Sequence, residues 1–298
     1  MTPYFRRLTP LLVATCLVAT WSVWLTAQTA EELQELQSNA EKGDAMAQYL
    51  LGLQYADGEG VPQSDTEAVR WYRLAAEQGD AFAQAQLGLI HNDGEGVRQN
   101  YGEAVRWYRL AADQGDARAQ TKLGHMYANG RGVLQDYAEA VQWYRLAADQ
   151  GYAEAQYDIG YMYDTGRGMA QDHGEAVRWY RLASNQGYAE AQYLLGVKYE
   201  KGESVAQDHG EAVRWYRLAS NQGYAEAQFN LAFMYSTGRG VAGDYVRAHM
   251  WLSLVPWKFT VNELRLRTTV VASLTPAQRA EAKTLARQWD EARPWVGR

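Results

Sequence analysis

One tryptophan sets the ruler for this chain. In the stretch Glu103-Ala104-Val105-Arg106-Trp107-Tyr108-Arg109-Leu110-Ala111-Ala112 it is Trp107, and its counterparts are Trp71, Trp143, Trp179, Trp215 and Trp251. Every step is 36 residues, with no insertion or deletion. A fixed period of that length marks a stacked repeat protein, in which each unit covers its apolar face with its neighbours. The 298 residues would suffice for two ordinary domains, but the unbroken repetition predicts one elongated array.

Each unit reads as two helices. In the quoted stretch Ala104, Trp107, Leu110 and Ala111 fall near one helical face, with Arg106 and Arg109 pointing away. Glu103 and Arg106 form an i,i+3 pair on the wet side. Gln114-Gly115 then ends the helix, and the same glycine recurs at Gly79, Gly151, Gly187 and Gly223. A first helix precedes it, as in Gly43-Asp44-Ala45-Met46-Ala47-Gln48-Tyr49-Leu50-Leu51-Gly52. Asp44, Asp80 and Asp116 are expected to cap three of these first helices; Tyr152, Tyr188 and Tyr224 stand there in the other units. Gly52 recurs at Gly88, Gly124, Gly160 and Gly196, with Ala232 in the last unit. A mid-helix glycine costs about 1 kcal/mol against alanine, so its reuse predicts a close approach, expected here from the indole of the second helix.

The pattern Ala-x-Ala-Gln-x-x-Leu-Gly-x-x-Tyr, then Gly-x-Gly-Val, then Glu-Ala-Val-x-Trp-Tyr-x-x-Ala-Ala resembles the Sel-one-like repeat family, relatives of the tetratricopeptide repeats. The resemblance covers residues 44–259 as six units. It implies an all-α, right-handed α-solenoid of six 36-residue helix pairs with helical caps, used mainly for protein–protein interaction. Three positions depart from the pattern: His91 replaces the tyrosine, Met169 the loop valine, and Ser204 a loop glycine.

The ends read differently. Arg6 and Arg7, the apolar run Leu11 to Leu25, and Leu25-Thr26-Ala27 have the order of a secretory signal peptide, assigned to residues 1–27. An uncleaved membrane anchor is the rival, because Trp21 and Trp24 sit in a run near the spanning length. A lipidated Cys16 is disfavoured by the preceding Thr15. The expected location is periplasmic or secreted. Cys16 is the single cysteine, so cleavage would leave a chain without disulfides. Residues 28–43 form an N-terminal capping half-repeat, with Leu33, Leu36 and Ala40 on one face. Residues 260–298 form two C-terminal capping helices, the second opened by Thr275-Pro276-Ala277-Gln278. Its apolar face is Ala282, Leu285, Ala286 and Trp289, and Pro294 marks its end.

No reaction is expected. The net charge of −6 and pI near 5.5 argue against general nucleic-acid binding. The histidines form no His-x-x-x-His pair, so no metal site is expected, and no cofactor motif appears. The segments Gln171 to Gln192 and Gln207 to Gln228 are identical, and a unique catalytic centre is not expected in duplicate. A hydrolase acting on cell-wall or β-lactam-like amides is the alternative implied by some secreted members of the family. Those members are disulfide-rich, and this chain is not.

Where the units differ from one another, they are free to read a partner. On the first helix these positions are the counterparts of residues 46, 49, 50 and 53, a single stripe by spacing. In tetratricopeptide relatives this helix lines the concave surface. The expected partner-binding residues are Arg118, Lys122, His125, Tyr157, Tyr161, Tyr193, Phe229 and Phe233, facing a protein or peptide. An open alternative is that half of the stripe packs against the neighbouring helix.

Overall fold

The structure, a computed structural model, describes residues 31–256 and 260–292. The expected signal peptide, the start of the N-terminal cap, the last residues of the sixth repeat and Pro294 lie outside the described residues. Among the described residues all regular structure is helical. None of these helices is long and apolar enough to cross a membrane.

The chain divides into two compact units between Gln135 and Asp136, which the even period does not announce. In the first, a helical segment at residues 31–41 (α1) precedes α2 (Ala45–Asp57), α3 (Asp65–Glu77), α4 (Ala81–Asp93), α5 (Tyr101–Asp113) and α6 (Ala117–Asn129). The second holds α7 (Tyr137–Asp149), α8 (Ala153–Thr165), α9 (His173–Asn185), α10 (Ala189–Lys201) and α11 (His209–Asn221). It continues with α12 (Ala225–Thr237), α13 (Tyr245–Leu254), α14 (Val261–Ala272) and α15 (Pro276–Glu291).

Helix ends follow from local chemistry. The carboxylates of Asp44, Asp80 and Asp116 each accept the backbone N–H three residues on at 2.7 Å. Tyr152, Tyr188 and Tyr224 offer no such cap. First helices stop at a left-handed glycine such as Gly58 (φ 72°). Thr275 and Gln278 form a reciprocal capping box at the start of α15, with Pro276 at the first helical position.

The repeated glycine has a different neighbour from the one expected. It is the ring of the tyrosine after the tryptophan, not the indole, that lies on it. A β-carbon on Gly52 would sit 2.6 Å from Tyr72, and one on Gly160 2.8 Å from Tyr180. Leu110 is a second correction. Ala104, Val105, Trp107, Tyr108, Ala111 and Ala112 are buried, while Leu110 is 40% exposed, just past the edge of that arc. The tryptophans fill spaces between successive pairs, as Trp107 does against Ala68, Val69 and Tyr72. Trp143 is the exception: it is half-buried, and its indole N–H donates to Glu139 at 3.2 Å.

A polar thread runs through each unit. Buried Gln192 donates to the Ser184 carbonyl at 3.1 Å and accepts from Gln222 at 2.9 Å. Gln84 does the same with the Ala76 carbonyl (3.0 Å) and Gln114 (2.8 Å). Each buried amide is thereby satisfied, as a buried polar group must be. At the second-helix surface Arg181 and Arg217 donate to Tyr199 and Tyr235, both at 3.1 Å. The C-terminal helices lock onto α13: Trp289 meets Trp251 edge-on at 5.4 Å. Arg267 pairs with buried Glu263 at 2.9 Å and donates to the Val255 carbonyl at 2.9 Å. That clamp fixes how α14 is rotated.

Candidate partner-binding groove

The expected binding residues separate between the two units. Arg118, Lys122 and His125 share one face of α6 in the first unit; Arg118 is exposed and the other two are half-buried. Thr121, from the same stripe, is buried and donates to the Ala117 carbonyl at 2.8 Å. Met46, Leu50, Phe82 and Leu89 of that unit's stripe are 38–48% exposed.

In the second unit the stripe has both roles. Tyr157 is half-buried, its ring 6.1 Å from Tyr180 and 5.3 Å from Tyr188. Tyr193 repeats this with Tyr216 (6.0 Å) and Tyr224 (5.3 Å). Burial, with nearby carboxylates, pushes the Tyr224 hydroxyl up to about 12 and raises those of Tyr157, Tyr180 and Tyr216 further, so all stay neutral donors. Tyr161 lies under the Arg167 guanidinium at 5.7 Å.

Tyr193, Phe229 and Phe233 come together. With Val197 and Leu266 they wall a cavity of about 770 Å³ between α10, α12 and α14. A second cavity of about 280 Å³ continues from it past Tyr193, Phe229 and Asn230 toward Glu226 and Thr260. The two form one groove along α12. Tyr157 and Tyr161 do not line it.

The sequence reading missed the fourth side. Asn262, Arg265, Leu266 and Thr269 of α14 face the larger cavity. Their spacing of three, four and seven is that of the repeat stripe, and it was the available signal. Arg267 and Val270 belong to the core-facing side of the same helix, and buried Glu263, which pairs with Arg267, lines the smaller cavity. Charge is unevenly spread. Lys201, from the last turn of α10, and Arg265 of α14 both line the larger cavity, and Arg239 covers the Phe233 ring at 5.6 Å. Glu200 is also there, but its carboxylate accepts the Tyr216 hydroxyl at 2.5 Å.

The Sel1 repeat profile matches six consecutive segments, residues 45–80, 81–116, 117–152, 153–188, 189–224 and 225–254. The chain belongs to the Sel1-repeat family. Sel1-repeat proteins generally serve as protein–protein interaction scaffolds. This one is similar to a protective antigen present in uropathogenic Escherichia coli strains that displays an SLR fold. Identity is 36% over 86% of this chain, and the TM-score is 0.74. The chain spans 56% of the length of that protein. A Sel1 repeat protein from Oxalobacter formigenes is 34% identical over 79% of this chain and 98% of its own, with a TM-score of 0.69. No curated protein matches.

Proposed function

We propose that this Sel1-repeat protein is exported and holds a protein or peptide segment on the face made by its first helices, with the groove of the second unit as its principal anchor point. The observation that carries this reading is the cavity walled by Tyr193, Phe229 and Phe233, three residues at which otherwise similar units differ. Aromatic side chains in a partly enclosed pocket are the usual anchors of an interface. Arg118, Lys122 and His125 of the first unit, and Tyr157 and Tyr161 of the second, are further contacts at the equivalent positions of their own first helices. No reaction is assigned.

Site-specific photocrosslinking tests the surface. A benzophenone side chain at Phe233 or Val197 is expected to capture a discrete partner in cells, and one at exposed Leu218 on a second helix is not. Equal capture at all three, or capture at Leu218 alone, overturns the reading. Export is tested by fractionation and intact mass. Loss of residues 1–27 from soluble, exported protein is the expected result, and a full-length chain in the membrane fraction refutes cleavage.

A further inference from the structure

We infer that the groove selects a segment in which a large apolar side chain stands beside acidic residues. This rests on the reading above that the first-helix face binds a peptide or protein.

The shape asks for an apolar anchor. A cavity of about 770 Å³ walled by Phe229, Phe233 and Leu266 is large enough for an indole or a pair of aliphatic side chains. The charge asks for acid at one end. Arg265 has no ion-pair partner among the described residues. Lys201, with 59% of its side chain exposed, has only Glu203 at 3.6 Å, and Glu203 is held more closely by Lys198 at 3.1 Å. The one carboxylate on that part of the lining, Glu200, is turned into the wall by its bond to Tyr216. A helix C-terminus carries only partial negative charge, so the end of α10 favours Lys201 without cancelling it. The smaller cavity carries carboxylates instead, Glu226 and the Arg267-paired Glu263. The groove is therefore polar along α12, and a bound segment lies with its acidic residues toward Lys201 and Arg265. Arg265 is a specificity determinant supplied by the C-terminal cap, not by a repeat.

A random dodecapeptide library displayed on phage, panned against the full chain, is the probe. The expected consensus pairs a Trp, Phe or Leu with Asp or Glu within a few residues. Synthetic peptides carrying it should bind Arg265→Glu and Lys201→Glu at least about tenfold more weakly, with a shallower salt dependence, since rim charges act chiefly on association. Both substitutions sit on exposed side chains, and melting curves check that the fold is kept. A Phe229→Ala/Phe233→Ala protein should lose the selected peptides. If peptides are enriched and lost with the aromatic pair, but carry no acidic preference or ignore Arg265→Glu, the charge assignment fails and the groove reading survives. If nothing is enriched, or the aromatic pair is irrelevant, both fail.

Discussion

The ring of Tyr216 occupies the space a β-carbon on Gly196 would need; the added atom would lie 2.7 Å from Cδ1 and from Cε1. Gly52 with Tyr72 and Gly160 with Tyr180 repeat the relationship. The sixth repeat changes both members, to Ala232 and Leu252, which are buried in one cluster. Gly196→Ala should therefore destabilise the second unit by about 1–2 kcal/mol, because an overpacking cost of about 1–3 kcal/mol exceeds the gain in helix propensity. Gly196→Ala/Tyr216→Leu should cost less than the sum of the single changes. Denaturant melts of the four proteins measure the coupling, and simple additivity would refute it.

His91 stands opposite Arg73, where the four repeats that follow place a tyrosine that accepts an arginine, as Tyr127 accepts from Arg109. Its ring is buried, and its Nδ1 has no partner among the described residues. Burial lowers its pKa, Arg73 adds to that, and Glu103 opposes it. The unfolded chain then binds the proton more readily, so stability falls as pH drops below the ordinary imidazole value of about 6.5. His91→Tyr should raise the melting temperature and flatten its pH dependence between about 7 and 5. An unchanged acid slope in thermal melts would assign the effect to other groups.

Ser204 is the one non-glycine residue with positive φ among the described residues, at 61°, where the five other repeats have Gly60, Gly96, Gly132, Gly168 and Gly240. The left-handed region costs an L-residue about 1–2 kcal/mol, and glycine's extra chain entropy returns about 0.5–1 kcal/mol of that. Ser204→Gly should stabilise the protein by about 0.5–1 kcal/mol. Urea midpoints read this directly, and a lowered midpoint would mean that the serine side chain contributes more than the strain removes.

Lys198 is 5% exposed at a position held by Met162 and Met234 in neighbouring units, and it pairs with Asp164 at 2.7 Å and Glu203 at 3.1 Å. Removing one partner of a buried pair costs about 3–5 kcal/mol, but Glu203 is half exposed, so Lys198→Met should cost nearer about 1–3 kcal/mol. The hydrogen bond from Lys198 holds the Glu203 carboxyl below its ordinary range. That contact stabilises the fold above the ordinary carboxylate value and is lost as pH falls through the depressed one. Carboxyl NMR titration should show Glu203 returning upward in Lys198→Met. No upward movement would mean that Lys201 alone sets it.

What could be read from the chain beforehand was whatever the period repeats. The helix pairs, the aspartate caps at Asp44, Asp80 and Asp116, and the Thr275 capping box all rest on spacing between near neighbours. Two errors came from choosing between adjacent positions. Trp107 and Tyr108 are both buried, and only the packing distance shows that the tyrosine needs the glycine; Leu110 lies just beyond the buried arc. Three of the eight expected binding residues meet in one cavity, because variation between units marks what the scaffold leaves open. Arg265 and Leu266 escaped because α14 has no counterpart unit for comparison, and its rotation depends on the contacts of Arg267 with Glu263 and the Val255 carbonyl.

The glutamine thread also bears on how such a chain can lengthen. The second copy of the duplicated segment, Gln207 to Gln228, carries the donor Gln222 and ends on a thread glutamine, Gln228. A 36-residue insertion made by unequal recombination between two such segments brings one new amide and one new carbonyl, and the neighbours on both sides find the partners they had before. Insertions within a helix pair that are not whole multiples of that period break the register between the thread glutamines and their partners. Recombination errors are thereby sorted at folding, and the terminal groove formed with α14 travels intact to the end of whatever length survives.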